Sequence, residues 1–490
     1  MDTAPLLQRD VSLQRIVDRR ETWDIAIIGG GATGMGIALD AATRGCSVVL
    51  LEQHDFGKGT SSRSTKLVHG GVRYLQQGNI SLVMEALKER GLLLRNAPHL
   101  VRDMHFIVPN YAWWEAPFYG IGMKVYDMLA GKYGFGPSRI LSREEVLALI
   151  PTLSQDGLRG GVEYHDGQFD DARLLIDIAS TAAQHGACLI NYARVTSLEK
   201  DSDQFVSGLT FRDEESGTSH TLAARCVINA TGPFCDEMRR ADNAEAKPMI
   251  APSQGVHLTL PREFLPGETA IMVPRTRDKR VLFAIPWHGH AILGTTDTPI
   301  PESTLEPMAH GEEIDFILET AGDYLSRRPT RADVLSVFTG IRPLVKAGDV
   351  SNTAALSRDH TIEISASGLL TITGGKWTTY RRMAEDAVDH AIVLGKLDEH
   401  PCVTRDLTIR DPGSHDESAA WFARHEMART VEDVLARRTR LLFLDSRAAL
   451  AKAPQVAREL AAELGRDEAW QQSQLEAFKE TAKHFMPPTL

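Results

Sequence analysis

Three glycine-rich turns, each directly behind an apolar run, are the segments of this chain best suited to hold a phosphate chain against backbone. The first, Gly29-x-Gly31-x-x-Gly34, follows WDIAII and opens MGIALDAATRG. Its first glycine permits a tight turn, its second lets a pyrophosphate approach the backbone, and its third lets helix and strand pack closely. Amide N–H groups and the helix dipole then face the anion. Glu52 ends the next apolar run, CSVVLLE, where a carboxylate can accept hydrogen bonds from a ribose and repel a 2′-phosphate. NAD and FAD both use this unit. Two later turns, Ala230-Thr231-Gly232 and Thr373-Gly374-Gly375-Lys376, give backbone further approaches to a long cofactor, and the three turns together favour extended, non-covalently bound FAD.

These turns require particular elements around them. WDIAII and CSVVLLE are buried parallel strands flanking a helix. CVINATG, HAILGTTD and LLTITGG are further apolar strands, and VHLTLP and VLFAIPW read as antiparallel strands with one face exposed. The expected fold is α/β: a Rossmann-like FAD-binding domain, an antiparallel-sheet substrate domain and a helical C-terminus. Residues 1–20 form an extension. FAD-binding segments at about 21–110, 155–240 and 350–395 interleave with substrate segments at about 110–155 and 245–345. After DPGS the chain turns rich in Ala, Leu, Glu and Arg at helical spacing, so 401–490 read as a separate helical cap whose removal near residue 400 should leave a flavin domain.

Composition removes other classes. Cys46, Cys188, Cys226, Cys235 and Cys402 form no C-x-x-C pair and no zinc spacing, so neither a redox disulfide nor a metal is expected and the thiols read as reduced and cytosolic. A formal charge of −11 argues against nucleic acid as a partner. The first twenty residues lack a signal-peptide core, and no apolar run approaches the roughly 18 residues of a membrane span. The location expected is the cytoplasm, with peripheral attachment to the inner face of the membrane left open.

Between residues 56 and 80, FGKGTSSRSTKLVHGGVRYLQQGNI crowds small hydroxyls, a His-Gly-Gly and an Arg-Tyr. Together with the first fingerprint, this segment resembles FAD-dependent glycerol-3-phosphate dehydrogenases in Thr60-Ser61-Ser62-Arg63-Ser64-x-Lys66-Leu67-x-His69-Gly70-Gly71-x-Arg73-Tyr74-Leu75. The resemblance continues through Asp170-Asp171-Ala172-Arg173-Leu174, Asn229-Ala230-Thr231-Gly232-Pro233, Ile285-Pro286-Trp287, Gly294-Thr295-Thr296-Asp297 and Gly340-Ile341-Arg342-Pro343-Leu344. Ser357-Arg358-Asp359 and Gly374-Gly375-Lys376-x-Thr378-Thr379-Tyr380-Arg381 complete it. It implies that Gly29, Gly31, Gly34, Glu52, Thr60, Ser61, Ser62, Ser64, Lys66, His69 and Gly70 touch the cofactor, with Ala230, Thr231, Gly232, Gly374, Gly375, Lys376, Thr378 and Thr379. Around the substrate it implies Arg73, Tyr74, Thr296, Arg342, Arg358 and Lys376, cations suited to a phosphate monoester.

The implied reaction oxidises sn-glycerol 3-phosphate at carbon 2 to dihydroxyacetone phosphate, with hydride passing to flavin N5. His69 and His257 are the candidate bases and Arg342 can lower the hydroxyl pKa electrostatically. Gln254 stands where relatives often carry a basic residue. Membrane quinone is the implied acceptor; an oxygen-using oxidase, or an amino-acid-oxidase-type enzyme acting on an amine or 2-hydroxy acid, is the alternative. PNYAWWEAPFYGIGMKVYDMLAGKYGFG, residues 109–136, groups aromatics with lysines as an interfacial anchor would, or as the lip of a pocket or a buried core would. A homo-oligomer stays open.

Overall fold

The computed structural model describes residues 6–71, 79–274, 276, 280–346, 359–413 and 416–487. Two sheets lie at its centre. In the first, Trp23–Ile28 pairs in parallel with Val48–Leu51 on one side and with Ser219–Asn229 on the other. Cys188–Ile190 and Leu370–Gly374 extend the parallel rows outward. The parallel strands are apolar on both faces because helices Ala32–Thr43, Asp171–Gln184 and Tyr380–Gly395 cover one, while the antiparallel strands Ala193–Lys200 and Val206–Asp213, with helix Arg9–Asp18, cover the other. Ala32–Thr43 lies against Tyr380–Gly395 so closely that a Cβ on Gly36 would come within 2.9 Å of the Tyr380 ring.

The second sheet has ten strands and is antiparallel except where Ala270–Val273 joins Arg102–Asn110. Its long spine is Ile250–Pro261 paired with Ser336–Val345, which places His257 opposite Phe338 and Ser253 opposite Arg342. VHLTLP and VLFAIPW both belong here as antiparallel strands, but residues 256–260 and 284–287 are buried on both faces instead of exposed on one. HAILG belongs here too, buried by packing on both sides rather than by parallel neighbours.

The chain crosses between the layers more often than its sequence segments suggest. Leu67–Val68, Arg102–Asn110 and Gly160–Gln168 pair with one another in the antiparallel sheet, although they fall inside stretches read as cofactor-binding. The N-terminal extension is no loose arm either. Its helix Arg9–Asp18 carries a buried Arg9 that binds Asp213 and the Asn191 carbonyl.

The C-terminal helices begin at Ala419 and are not a detachable cap. Phe422, Leu442, Phe443, Leu460 and Phe478 pack in one cluster with Phe106, Ile285, Trp287 and Phe338 of the antiparallel sheet. Buried charge joins the parts as well. Asp55, just after the second parallel strand, receives the guanidinium groups of Arg437 and Arg438 at 2.6 and 2.8 Å. Arg440 reaches Asp171 at 2.9 Å.

Candidate active site

A cavity of about 360 Å³ runs from the glycine turns of the parallel sheet to the spine of the antiparallel one. At the first end, the backbone approaches itself as the fingerprint requires. Gly29 has φ +109°, and a Cβ on Gly34 would sit 1.9 Å from the Gly29 carbonyl oxygen, so helix and strand meet with no room for a side chain. Gly29 and Gly31 face the cavity; Gly34 packs behind it. The Glu52 carboxylate accepts from the Gly30 and His54 N–H groups at 2.6 and 2.9 Å and lines the cavity. Burial pushes this carboxyl above its ordinary range, opposed by those two donors. The later turns close the wall: Ala230, Thr231 and Gly232 on one strand end, Gly374 and Gly375, both with positive φ, on the next.

The hydroxyl-rich segment divides into residues that face the cavity and residues that hold it. Thr60, Ser61, Ser64 and His69 line the wall, and the Ser61 hydroxyl accepts from the Ala32 N–H at 2.9 Å, tying this loop to the glycine turn. Ser62, Lys66 and Gly70 lie outside the wall. Lys66 is fully buried, donates to Asp171 and to the Ser62 carbonyl at 2.7 and 2.8 Å, and sits among the Trp287, Phe338 and Phe443 rings. Burial outweighs Asp171 and pushes the lysine down to about 7. The Gly70 N–H points to Asp166. Asp171 also accepts from the Ser64 N–H and hydroxyl, while Asp170 caps helix Asp171–Gln184. The Asp-Asp motif thus organises the loop from behind. Thr378 and Lys376 line the cavity, whereas Thr379 donates back to the Lys376 carbonyl and stays outside.

At the other end, Arg342 enters from the spine. Its guanidinium donates to the Gln254 carbonyl, the Thr295 hydroxyl and the Thr296 carbonyl at 3.3, 3.2 and 3.0 Å and pairs with Asp297 at 3.2 Å. So many fixed oxygens leave the fork little freedom. Thr296 itself turns away, its hydroxyl donating to Glu313 at 2.8 Å, so its side chain is a brace and not part of the polar wall. Gln254 does likewise, donating to Glu313 at 2.7 Å, and reaches Arg342 only through its carbonyl. Arg73, Tyr74 and Arg358 lie outside the described residues.

His257 lines the cavity on the strand beside Arg342 and stacks on Phe338 at 4.7 Å. Its Nε2 shares a hydrogen bond with the Thr65 hydroxyl at 2.9 Å, and its Nδ1 has no hydrogen-bond partner. Burial first, then the nearby charges of Lys66 and Arg342, hold the imidazole well below its ordinary value. It is therefore neutral at physiological pH and able to accept a proton. His69 faces the same cavity, and its carbonyl accepts from Thr378.

Three wall residues escaped the sequence reading. Thr65 occupies a position read as variable within the hydroxyl run. Lys58 carries no motif mark, and Arg63, although inside the matched hydroxyl-rich motif, is given no role by it; both line the cavity and share Glu306, at 3.6 and 2.6 Å. Only their basic side chains beside glycines and hydroxyls could have drawn notice.

An extended cavity with backbone turns at one end, and a neutral histidine beside a fixed arginine at the other, on this pair of sheets, defines an FAD-dependent oxidoreductase. The family model "FAD dependent oxidoreductase" matches residues 24–381, and "C-terminal domain of alpha-glycerophosphate oxidase" matches 392–471. A mitochondrial glycerol-3-phosphate dehydrogenase of Arabidopsis thaliana is 39% identical over 94% of this chain and 86% of its own length. One from Rattus norvegicus is 39% identical over 98% of this chain and 75% of its own. The solved structure of glycerol-3-phosphate dehydrogenase from Bacillus halodurans complexed with FAD superposes with a TM-score of 0.80 at 29% identity, covering 99% of both chains. The chain belongs to the FAD-dependent glycerol-3-phosphate dehydrogenase family.

Proposed function

We propose that this chain oxidises sn-glycerol 3-phosphate at carbon 2 to dihydroxyacetone phosphate and passes the electrons to membrane quinone. The observation that carries the reading is the fixed Arg342 fork set beside a neutral, buried His257 in the same cavity as the glycine turns. The cradle fits FAD. Gly29, Gly31 and Gly232 leave backbone bare at the cavity, and Glu52, already oriented by two N–H groups, presents its carboxylate there. Gly374 and Gly375 bare the opposite wall. When bound, FAD supplies the acceptor for the carbon 2 hydride.

The protein's own groups do the rest. Arg342 and Lys376 offer charge-assisted donors to the anionic substrate, whereas the Lys58 and Arg63 charges are paired with Glu306 and Glu432. His257, its ring held by Thr65 at Nε2, takes the hydroxyl proton on its neutral imidazole. The Phe338 ring against His257 keeps water from that face. Anaerobic glycerol 3-phosphate should bleach the yellow protein; a flavin that stays oxidised would remove this substrate.

The acceptor assignment rests on helix Glu115–Ala130. Trp114, Phe118, Ile121, Val125 and Met128 follow helical spacing along one exposed face, Phe118 being 57% and Met128 81% exposed, and Trp113 lies beside it at 78%. Tyr119 and Tyr126 on the opposite face are buried in the core, so the exposed stripe alone supports the anchor reading. Among the described residues no helix is long and apolar enough to cross a membrane. A peripheral contact through this face fits a quinone dissolved in lipid. The oxidase-named tail model favours oxygen as the second reading. Reoxidation of the bleached protein by a quinone analogue and not by air separates the two.

A further inference from the structure

A cluster of metal-binding side chains lies on the antiparallel sheet, away from the cavity. His105 and His165 are direct cross-strand partners on Arg102–Asn110 and Gly160–Gln168. Asp103 precedes His105 by two residues and Glu163 precedes His165 by two, so all four side chains share one face. The imidazole rings are 4.5 Å apart. One ligand atom from each of Asp103, His105 and His165 lies within 4.8 Å of the others.

The carboxylates take different parts. Asp103 meets His165 Nδ1 at 3.0 Å, close to the spacing of two ligands on one ion. Glu163 is 2% exposed and accepts from His105 Nδ1 at 2.7 Å, while Arg139 donates to its second oxygen at 2.8 Å. A buried carboxylate on Nδ1 fixes the tautomer and aims Nε2 outward, the arrangement that supports a metal-ligating histidine. The His105 side chain is 49% exposed and can turn toward an ion. Backbone also crowds His165, since a Cβ on Gly136 would lie 2.8 Å from Nε2.

We propose that Asp103, His105 and His165 form a site for a zinc-class divalent cation, with Glu163 as the positioning residue and water in the fourth place. Two imidazoles and one carboxylate suit zinc or its neighbours and not calcium or magnesium. The ion would clamp strands Arg102–Asn110 and Gly160–Gln168 together at the His105–His165 pair. Sequence spacing conceals it, because the ligands come from two strands that only the sheet brings together.

The test is a zinc titration of tag-free, chelator-stripped, FAD-loaded protein against a chromophoric competitor. One tight equivalent is expected, lost in the His105→Ala/His165→Ala variant, with glycerol 3-phosphate turnover in that variant showing that it folds. Glu163→Gln, which retains the three ligands, should weaken binding about tenfold. Zinc should raise the unfolding temperature of the native protein but not that of the double variant. If the native protein takes up no tight equivalent, or the double variant binds zinc equally well, the site does not exist. Equal binding by Glu163→Gln would overturn the positioning role.

Discussion

The two ends of the cavity are built differently. The nucleotide end is the more local: Gly29, Gly31, Gly34 and Glu52 fall within one strand, helix and strand and contact one another, with Ser61 and Ala230 closing on that unit from elsewhere. The substrate end is assembled across the fold. His257 depends on Thr65 and Phe338, Arg342 on Gln254 and Asp297, and the loop bearing Thr65 on Asp171 and Arg440 from the distant helices. A locally encoded end can fail alone, whereas an assembled end fails with its remote supports.

Truncation near residue 400 should have the largest effect. It strips Asp55 of both buried guanidinium partners, at about 3–5 kcal/mol for an uncompensated charge, leaves Asp171 with Lys66 alone, and opens the shared core. We expect no soluble yellow protein from such a chain; a stable flavoprotein would show that the C-terminal helices are separable after all. Arg342→Ala should lower kcat/KM roughly 10²-fold or more with full flavin content, by removing a charged contact at the substrate end alone. Loss of flavin in that variant would break the division between the ends.

Gly34→Ala tests the opposite end. Its Cβ meets the Gly29 oxygen, so a loss of about 1–3 kcal/mol in stability, together with flavin release, should appear in thermal melts and absorbance. Thr65→Val removes one hydrogen bond to His257 and should slow turnover only about threefold to tenfold. The sign of the pH effect follows from the lowered histidine. The base is neutral above its depressed value and is lost as pH falls through it, so the acid limb of kcat/KM should lie below pH 6.5. An acid limb above that value would exclude His257. Phe118→Ser should leave turnover with soluble acceptors unchanged while reducing flotation with lipid vesicles about tenfold, the equivalent of one large apolar side chain leaving the interface.

Legibility followed the same division. The fingerprint, the parallel strands around it and the cavity-facing Thr60, Ser61, His257 and Arg342 could be read because pattern or motif marks them within a few residues. Lys66, Ser62 and Thr296 could not be sorted from true wall residues. Whether a motif side chain faces ligand or braces the wall depends on partners such as Asp171 and Glu313, and sequence spacing does not state those. The aromatics of residues 109–136 divide only in the fold, where Tyr119 is buried in the core while Trp113, Trp114 and Phe118 stay exposed.

Sequence alone determined the Rossmann-like unit, the glycine turns, the acid behind them and the family likeness, since helix and strand periodicity and backbone freedom at glycine are local properties. Tertiary structure alone decided the support of the substrate end: Lys66 pushed down by burial despite Asp171, His257 held neutral between Thr65 and Phe338, and the C-terminal arginines locked into Asp55. Burial and charge pairing are set by what arrives from elsewhere in the chain, and a proton's preference for His257 or Lys66 is a property of that enclosure.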